Sequence, residues 1–167
     1  MCEIIIRTAG EQDFDALDKL YYDFHQYHVR EIPDRLQDLG KIENQDWSRL
    51  HQAFRDIFAN KDAVIFLAVV SGQLIGLAEV YFRQDDEANP LIVPHKYAHL
   101  QSIMVSEPNR KSGIGKKLIE VAQQWAREKG ATEMRLDVWE FNQGPIQVYE
   151  KMGFHTLKRT LVTDLYL

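Results

Sequence analysis

The chain has 167 residues, and this length predicts a single domain over residues 1–167. Hydrophobic residues make up 45% of the sequence and charged residues 27%, which is typical of a globular protein with an apolar core. The formal net charge of −5 disfavours nucleic acid and anionic membranes as partners, because both attract basic surfaces, and it suits an amine-bearing partner better.

The first half of the chain reads as a strand, two helices and a β-hairpin. A run of isoleucines predicts the strand, and apolar residues at helical spacing predict both helices. A continuous apolar run followed by the turn Ser71-Gly72-Gln73 predicts the hairpin. The predicted bounds are 3–7 for the strand, about 8 to 30 for the first helix, a start near the N-cap residue Asp46 for the second, and 63–70 and 74–83 for the hairpin strands.

The second half alternates strands with helices after a polar loop at 84–95. A strand is predicted at 97–105, and a long amphipathic helix at 113–129 ends before Gly130, a natural residue for a helix C-terminus. The remaining elements are a strand at 132–139, a short helix at 145–151, and strands at 154–160 and 162–167. The order β-α-α-β-β-β-α-β-α-β-β predicts a mixed α/β fold, in which helices cover the faces of a mixed sheet.

The sequence carries no sign of cysteine-based metal binding, export or membrane insertion. Its single cysteine excludes a disulfide framework and a zinc site built on cysteines, and we expect no metal. No stretch resembles a secretory signal, and no apolar run approaches the ~18 residues that a membrane span needs. We therefore expect a cytoplasmic protein that binds neither membrane nor nucleic acid.

A glycine-bearing turn runs into the long helix at Asn109 to Glu120, shortly after the apolar strand that ends at Val105. A strand, a glycine turn and a helix N-terminus together form a common phosphate site. The first N–H groups of a helix are unpaired, and the helix dipole is positive there. The Rossmann fingerprint fails because Leu118 replaces its third glycine. The P-loop fails because Arg110 replaces its first glycine and Lys117 its hydroxyl residue.

Residues 110–115, R-K-S-G-I-G, resemble the acetyl-coenzyme A signature of the GNAT superfamily of N-acetyltransferases, Q/R-x-x-G-x-G/A. The apolar segment before it, Leu100 to Val105, is similar to the strand that precedes this signature in the family. Behind it, residues 142–154, N-Q-G-P-I-Q-V-Y-E-K-M-G-F, are similar to the family's second signature. The resemblance therefore covers 100–154 strongly and the first half of the chain loosely.

The resemblance implies a GNAT-like fold, with a mixed, mostly antiparallel sheet of about seven strands and helices on both faces. It also implies an N-acetyltransferase that uses acetyl-CoA as co-substrate. A primary amine of a small molecule or peptide would attack the thioester directly, in a ternary complex. The strand around Met104 would position the thioester, because a bulge and a splay from the next strand free its backbone groups. The residues implied to bind coenzyme A are Ile103, Met104, Val105, Arg110, Lys111, Ser112, Gly113, Ile114, Gly115, Lys116 and Asn142.

Catalytic candidates follow from the resemblance and from residue chemistry. Tyr149 stands at the position of the family's candidate general acid, which would protonate the departing thiolate. Many family members carry a glutamate where this chain has Gln101, and a glutamine cannot accept a proton. His99, an ordinary base near neutral pH, and Glu79, a lone acid on the preceding strand, are the alternatives. A base acting through water, or an amine that arrives neutral, would need neither.

The acceptor pocket implied by the resemblance is built from the first two helices, their connection at 27–45, and the loop at 84–95. Asp85, Asp86 and Glu87 in that loop would favour a polyamine, an aminoglycoside or a lysine side chain if they face a cleft. A solvated acidic loop is the competing interpretation.

Two other functions remain open on the sequence. Gln101 makes a non-catalytic acyl-CoA-binding regulator on the same fold conceivable, whereas Tyr149 argues for an enzyme. An acyltransferase for a longer acyl chain or a hydroxyl acceptor is a further alternative. The terminal strand predicted at 162–167 would present an exposed edge, so we expect a homodimer.

Overall fold

The computed structural model describes residues 3–42 and 47–165. Contacts divide the chain into two compact units, residues 1–137 and 138–167. The predicted N-cap at Asp46, the end of the predicted helix connection at 43–45 and the last two residues of the predicted final strand lie outside the described residues.

The described part of the N-terminal unit contains five strands and three α-helices. The strands are β1 (Ile4–Thr8), β2 (Ala63–Val70), β3 (Gln73–Gln84), β4 (Lys96–Val105) and β5 (Glu133–Arg135). The helices are α1 (Phe14–Glu31), α2 (Ser48–Ala59) and α3 (Ile114–Glu128). The C-terminal unit contains α4 (Gln143–Lys151).

The strands form one sheet in the order β1-β2-β3-β4-β5, in which only β4 and β5 pair in parallel. Leu77 of β3 points to the face on which Leu17 of α1 and Phe54 of α2 are buried. Gly76 must face the other side, and a side chain there would meet Leu118 of α3. The predicted α/β fold, with helices on both faces of a mixed and mostly antiparallel sheet, is confirmed.

One part of the core lies between the sheet and the first two helices, and another lies under α3, which buries Leu118 and Ile119. Helix α1 buries Leu17 and Leu20, and α2 buries Phe54 and Ile57, each pair at the three-residue spacing that keeps side chains on one helix face. Full burial of such a side chain stabilises the fold by roughly 1.5–3 kcal/mol. The buried cluster consists of Leu17, Leu20, Phe54, Ile57, Ile65, Leu67, Leu77 and Met104. None of the described helices is both long enough and apolar enough to cross a bilayer.

Helix α1 begins later than the sequence pattern predicts. A 3-10 turn at Glu11–Asp13 precedes it. The Asp13 carboxylate accepts hydrogen bonds from the Arg7 guanidinium at 2.7 and 2.8 Å and from the Gly10 N–H at 3.0 Å. The bond from Arg7 is the main reason that the pKa of Asp13 lies below its usual value. These contacts hold residues 10–13 in a turn, so the α-helix begins after them.

The prediction of about seven strands is wrong for the described residues, which contain five. Residues 154–165 form no strand, and β5 covers three residues instead of the predicted 132–139. The apolar side chains that favoured the terminal strands are exposed, at Leu157, Leu161, Val162 and Leu165. A segment of high strand propensity stays irregular when no neighbouring strand supplies its hydrogen bonds, because strand propensity depends on packing.

Candidate functional site

The glycine loop, which we define as residues 110–116, connects β4 to α3 through two residues with left-handed backbone. Lys111 has φ +62° and Gly113, which caps α3, has φ +84°. The first α-helical hydrogen bond of α3 runs from the Lys117 N–H to the Gly113 carbonyl, at 3.1 Å. The start of α3 lies close to the end of β4, since a Cβ atom added at Gly115 would lie 3.7 Å from the Val105 side chain.

The glycine loop presents a run of backbone N–H groups. Among the described residues, no acceptor pairs with the backbone N–H groups of Lys111 through Lys116. A Cβ atom added at Gly113 would meet nothing within 4 Å, so the space beside this residue is open. Consecutive free N–H groups at the positive end of a helix dipole bind anions such as a pyrophosphate. The loop therefore fits an anion such as a pyrophosphate group.

The side chains of the glycine loop hold its shape as well as adding charge. The Arg110 Nε–H donates to the Val105 carbonyl at 3.1 Å, and its guanidinium carbon lies 5.1 Å from the Tyr27 ring centroid. The Ser112 hydroxyl donates to the Asn109 carbonyl. Lys116 forms an ion pair with Glu120 at 3.7 Å. This pair is weak because both side chains are exposed to solvent.

Strand β4 carries both features that the resemblance implies, a bulge and a splay. Glu79 of β3 pairs with Ser102 and Val80 pairs with Leu100, so Gln101 is the extra residue of the bulge. The pairing of β4 with β5 ends at His99, although β4 continues along β3 as far as Val105. Within the described strands, residues 100–105 thus have a strand neighbour on one side only. This segment contains Ile103, Met104 and Val105.

Glu79 lies at the centre of a hydrogen-bonded cluster. Its side chain is buried, and its two carboxylate oxygens accept the hydroxyl hydrogens of Tyr21 and Tyr81, each at 2.6 Å. Burial, followed by the charge of Glu79, raises the pKa of Tyr21 far above its usual value. Burial and the hydrogen bond to Glu79 likewise raise the pKa of Tyr81. Both phenols therefore stay protonated and donate to the carboxylate.

His99 shares a sheet face with this cluster. It pairs with Tyr81 across the β3–β4 ladder, and Tyr81 and Glu79 are two residues apart on one strand. Burial lowers the pKa of His99, and the charge of Asp137, whose Oδ2 lies 3.7 Å from the His99 Nε2, opposes this effect. The imidazole is therefore neutral at pH 7 and able to accept a proton.

A cleft of about 340 Å³ opens beside the Glu79 cluster. Residues of α1, α2 and β3, together with Asn60 just after α2, form its wall. The lining residues are Tyr21, Leu50, Ala53, Phe54, Asp56, Ile57, Asn60, Glu79 and Tyr81. The cleft thus combines an apolar helix surface with a single buried carboxylate.

The acids of the loop at 84–95 are engaged within the loop and its neighbours. Asp85 accepts from the His95 N–H at 3.1 Å and contacts Arg135 at 3.4 Å. Asp86 accepts from the Ala88 N–H at 2.9 Å. Glu87 accepts from the Gln84 side chain. These contacts support the interpretation of this segment as an acidic loop with internal hydrogen bonds.

The C-terminal unit carries the two remaining site candidates. Asn142 is buried and precedes α4, where its carbonyl accepts the Ile146 N–H at 3.0 Å. Tyr149 lies on α4, its ring edge-on to Phe154 with a centroid distance of 5.8 Å. Burial raises the pKa of Tyr149 to about 12. Its hydroxyl is therefore protonated throughout the physiological range.

Comparison with known families decides the assignment. The acetyltransferase (GNAT) family model matches residues 17–154. The chain belongs to this family. The matched range begins within α1 and includes all of the glycine loop and helix α4.

Relatives and solved structures agree with the GNAT assignment. An aminoglycoside N(6′)-acetyltransferase type 1 from Salmonella typhimurium is 29% identical over 100 residues, which cover 58% of this chain and 65% of that protein. A mutant of the BH1408 protein from Bacillus halodurans superposes with a TM-score of 0.86 at 22% identity, covering 96% of this chain and 99% of that one. The aminoglycoside N-acetyltransferase AAC(6′)-Iy in complex with CoA superposes with a TM-score of 0.74 at 21% identity, covering 100% and 97%. At these identities the two structures establish the fold.

The GNAT sequence signatures did not reveal the partners of Glu79. Tyr81 lies two residues from Glu79 in a strand, so the period-two rule was a usable signal for it. Tyr21 lies 58 residues away, and its helical spacing indicated only a core position. No local pattern links a helix residue to a strand residue at that separation.

Proposed function

We propose that this chain transfers an acetyl group from acetyl-CoA to a primary amine of a small molecule or peptide, by direct attack in a ternary complex. The observation that carries the proposal is the run of N–H groups from Lys111 to Lys116, which have no acceptor among the described residues. It lies next to a strand whose end has a described strand neighbour on one side only. The first feature suits a pyrophosphate and the second suits an extended pantetheine arm. The CoA complex of AAC(6′)-Iy supports the same co-substrate.

Acetyl-CoA, when bound, supplies the thioester that the amine attacks. The edge of β4 at residues 103–105 that faces away from β3 would align pantetheine, and one N–H on that edge would polarise the thioester carbonyl. Asn142 would contact pantetheine, and the glycine loop would hold the pyrophosphate. As the new C–N bond forms and the C–S bond breaks, the amine loses a proton and the thiolate gains one.

His99 is the better of the two candidate bases. Its lowered pKa keeps it neutral, so its free lone pair can take the proton from the amine. Both oxygens of Glu79 accept tyrosine hydrogen bonds, and such bonds stabilise the charged form and weaken a carboxylate as a base. Tyr149, protonated at neutral pH, would donate a hydrogen bond or a proton to the departing thiolate.

The acceptor is proposed from the relatives. The Salmonella relative carries the name of an aminoglycoside acetyltransferase, which supports a small-molecule amine as the acceptor. Because the matched region covers 65% of that relative, its substrate is a guide to the chemical class. A peptide amine remains the second acceptor class.

A non-catalytic acyl-CoA-binding regulator is the second candidate function. The observation that favours it is Gln101, which occupies the bulge of β4 where many family members carry a glutamate. A regulator needs neither a neutral histidine near the acceptor cleft nor a protonated tyrosine. His99 and Tyr149 therefore favour the enzyme.

A thiol-release assay with acetyl-CoA tests the proposal. The panel contains polyamines, aminoglycosides, amino acids, simple alkylamines and arylalkylamines, and peptides with free N-termini or lysines, with longer acyl-CoA thioesters in parallel. Turnover with one class of amine supports the enzyme. Calorimetric binding of acetyl-CoA without turnover on any amine supports the regulator, and absence of binding overturns the assignment of the glycine loop.

The expectation of a cytoplasmic homodimer stays a prediction. The terminal strand edge that suggested a dimer is absent from residues 162–165. Light scattering at micromolar concentration tests the oligomeric state, and a monomer mass would refute the dimer.

A further inference from the structure

The buried carboxylate of Glu79 faces the cleft between α1, α2 and β3. Glu79 is 7% exposed, yet among the residues that the structure describes it forms no ion pair with a lysine, arginine or histidine. His99 on the same sheet face does not compensate this charge, because burial keeps its imidazole neutral. A buried charge is costly unless it is paired or fully hydrogen-bonded.

Two neutral donors orient the Glu79 carboxylate, and each of its oxygens can still accept another hydrogen bond. Tyr21 donates to Oε2 and Tyr81 donates to Oε1, so each oxygen accepts one protein hydrogen bond. A carboxylate oxygen can accept about two hydrogen bonds. Each oxygen can therefore accept a further donor from a ligand in the cleft.

The surroundings of the carboxylate suit a cation that carries an apolar group. The rings of Tyr21 and Tyr81 line the cleft beside the carboxylate, and aromatic faces attract an ammonium ion. The helix α2 side presents Leu50, Ala53 and Ile57. Among the lining residues only Asp56 and Asn60 add polar groups on that side, so a sugar with many hydroxyls would find few partners there.

We propose that Glu79, held by Tyr21 and Tyr81, binds the ammonium group of the acceptor, and that the acceptor is a primary amine with an apolar body. The inference rests on the proposed acetyl transfer for its role in catalysis, whereas the ammonium site itself does not. Glu79 is then the residue that binds the amine, and His99 on the same sheet face receives its proton. The apolar body packs against Leu50 and Ile57.

The unmodified protein tests the site by calorimetry, with and without saturating CoA. Phenethylamine is compared with 2-phenylethanol, which has the same ring and chain but no charge, and with kanamycin as the polyhydroxylated amine. We expect phenethylamine to bind at least about tenfold more tightly than the alcohol and more tightly than kanamycin. Equal affinity for the amine and the alcohol, or tighter binding of kanamycin, overturns the proposal.

Variants then locate the site. Glu79→Gln is expected to raise the dissociation constant and the KM for phenethylamine at least about tenfold, and to leave the affinity for CoA unchanged. Glu128→Gln removes one charge from an exposed position at the end of α3 and is the matched control, with unchanged values. Phenethylamine affinity that is the same in both variants overturns the proposal.

Failure of the site and failure of the proposed function give different results. Ammonium binding that depends on Glu79, without acetyl transfer to any amine, supports the site and overturns the enzyme. Acetyl transfer with a KM that Glu79→Gln leaves unchanged supports the enzyme and overturns the site. Circular dichroism checks the fold of the variant, and if Glu79→Gln does not fold, the comparison of amine with alcohol on the unmodified protein decides.

Discussion

The guanidinium of Arg110 stacks over the ring of Tyr27, with 5.1 Å between its central carbon and the ring centroid. The same guanidinium donates to the Val105 carbonyl at the end of β4. One side chain thus connects the glycine loop both to the sheet and to helix α1. Its charge also lies at the entrance to a proposed anion site.

This double role predicts that Arg110 is sensitive to conservative substitution. Arg110→Ala should raise the dissociation constant of CoA about tenfold or more, because a charge-assisted contact contributes ~1.5–3 kcal/mol. Arg110→Lys keeps the charge but loses the planar stack and the Nε–H donor, so it should recover part of the affinity. Tyr27→Phe keeps the ring and serves as the control. Isothermal titration with CoA measures all three, and full recovery by lysine would show that charge alone matters.

The two glycines of the loop should respond differently to alanine. Gly113 has φ +84°, so Gly113→Ala should cost about 1–2 kcal/mol in the free energy of unfolding, although its methyl group would meet no neighbour. Gly115 lies inside α3, where the new Cβ would sit 3.7 Å from the Val105 side chain in ordinary contact. Gly115→Ala should therefore leave stability equal or higher. Urea unfolding without ligand measures both, and equal stability of the two variants would contradict the left-handed conformation at Gly113.

The lowered pKa of His99 predicts the acidic limb of the pH–rate profile. In the proposed reaction the neutral imidazole of His99 is the active form, so kcat/KM should fall only as the pH drops through a pKa below the ordinary ~6.5. His99→Gln should lower kcat/KM and remove that limb. His155→Ala, which changes an exposed histidine in the C-terminal unit, is the control. An acidic limb that survives in His99→Gln would transfer the role of base to another group.

Tyr149 should act on turnover and not on coenzyme binding. Tyr149→Phe should lower kcat by about 10²-fold, the lower range for loss of an acid catalyst, with the CoA dissociation constant unchanged. Because the pKa of Tyr149 is about 12, its ionisation should cause no loss of kcat between pH 7 and about pH 10. Tyr22→Phe on α1 removes a different phenol as the control. Steady-state kinetics and calorimetry separate the two quantities, and unchanged kcat would exclude Tyr149 as the acid.

The sequence predicted the parts of the fold that depend on local pattern. The apolar runs of β2, β3 and β4 and the amphipathic period of α3 lie where the pattern places them, because burial on a strand or helix imposes a period on the residues themselves. The glycine loop could be predicted for the same reason. Gly113 adopts a backbone conformation that disfavours other residues.

The strands that were predicted wrongly share one cause, the lack of a pairing partner from a distant segment of the chain. Leu157, Leu161, Val162 and Leu165 alternate loosely as in a strand, but they are exposed, and no strand forms over 154–165. Strand β5 is short because its pairing with β4 stops at Arg135. A strand needs hydrogen-bond partners on another segment, and the propensity of the segment itself does not supply them.

The sequence by itself determined the family, the glycine loop and the identity of the candidate acid and bases. These features depend on residue types that stand at short spacings in the sequence. Only the tertiary structure decided that Gln101 is the bulged residue, that His99 is half-buried, and that Tyr21 and Tyr81 meet on Glu79. Burial and contact between α1 and β3 depend on how distant segments pack. The hydrogen-bonding and charge environment that distinguishes an ammonium site from a general base therefore appears only after folding.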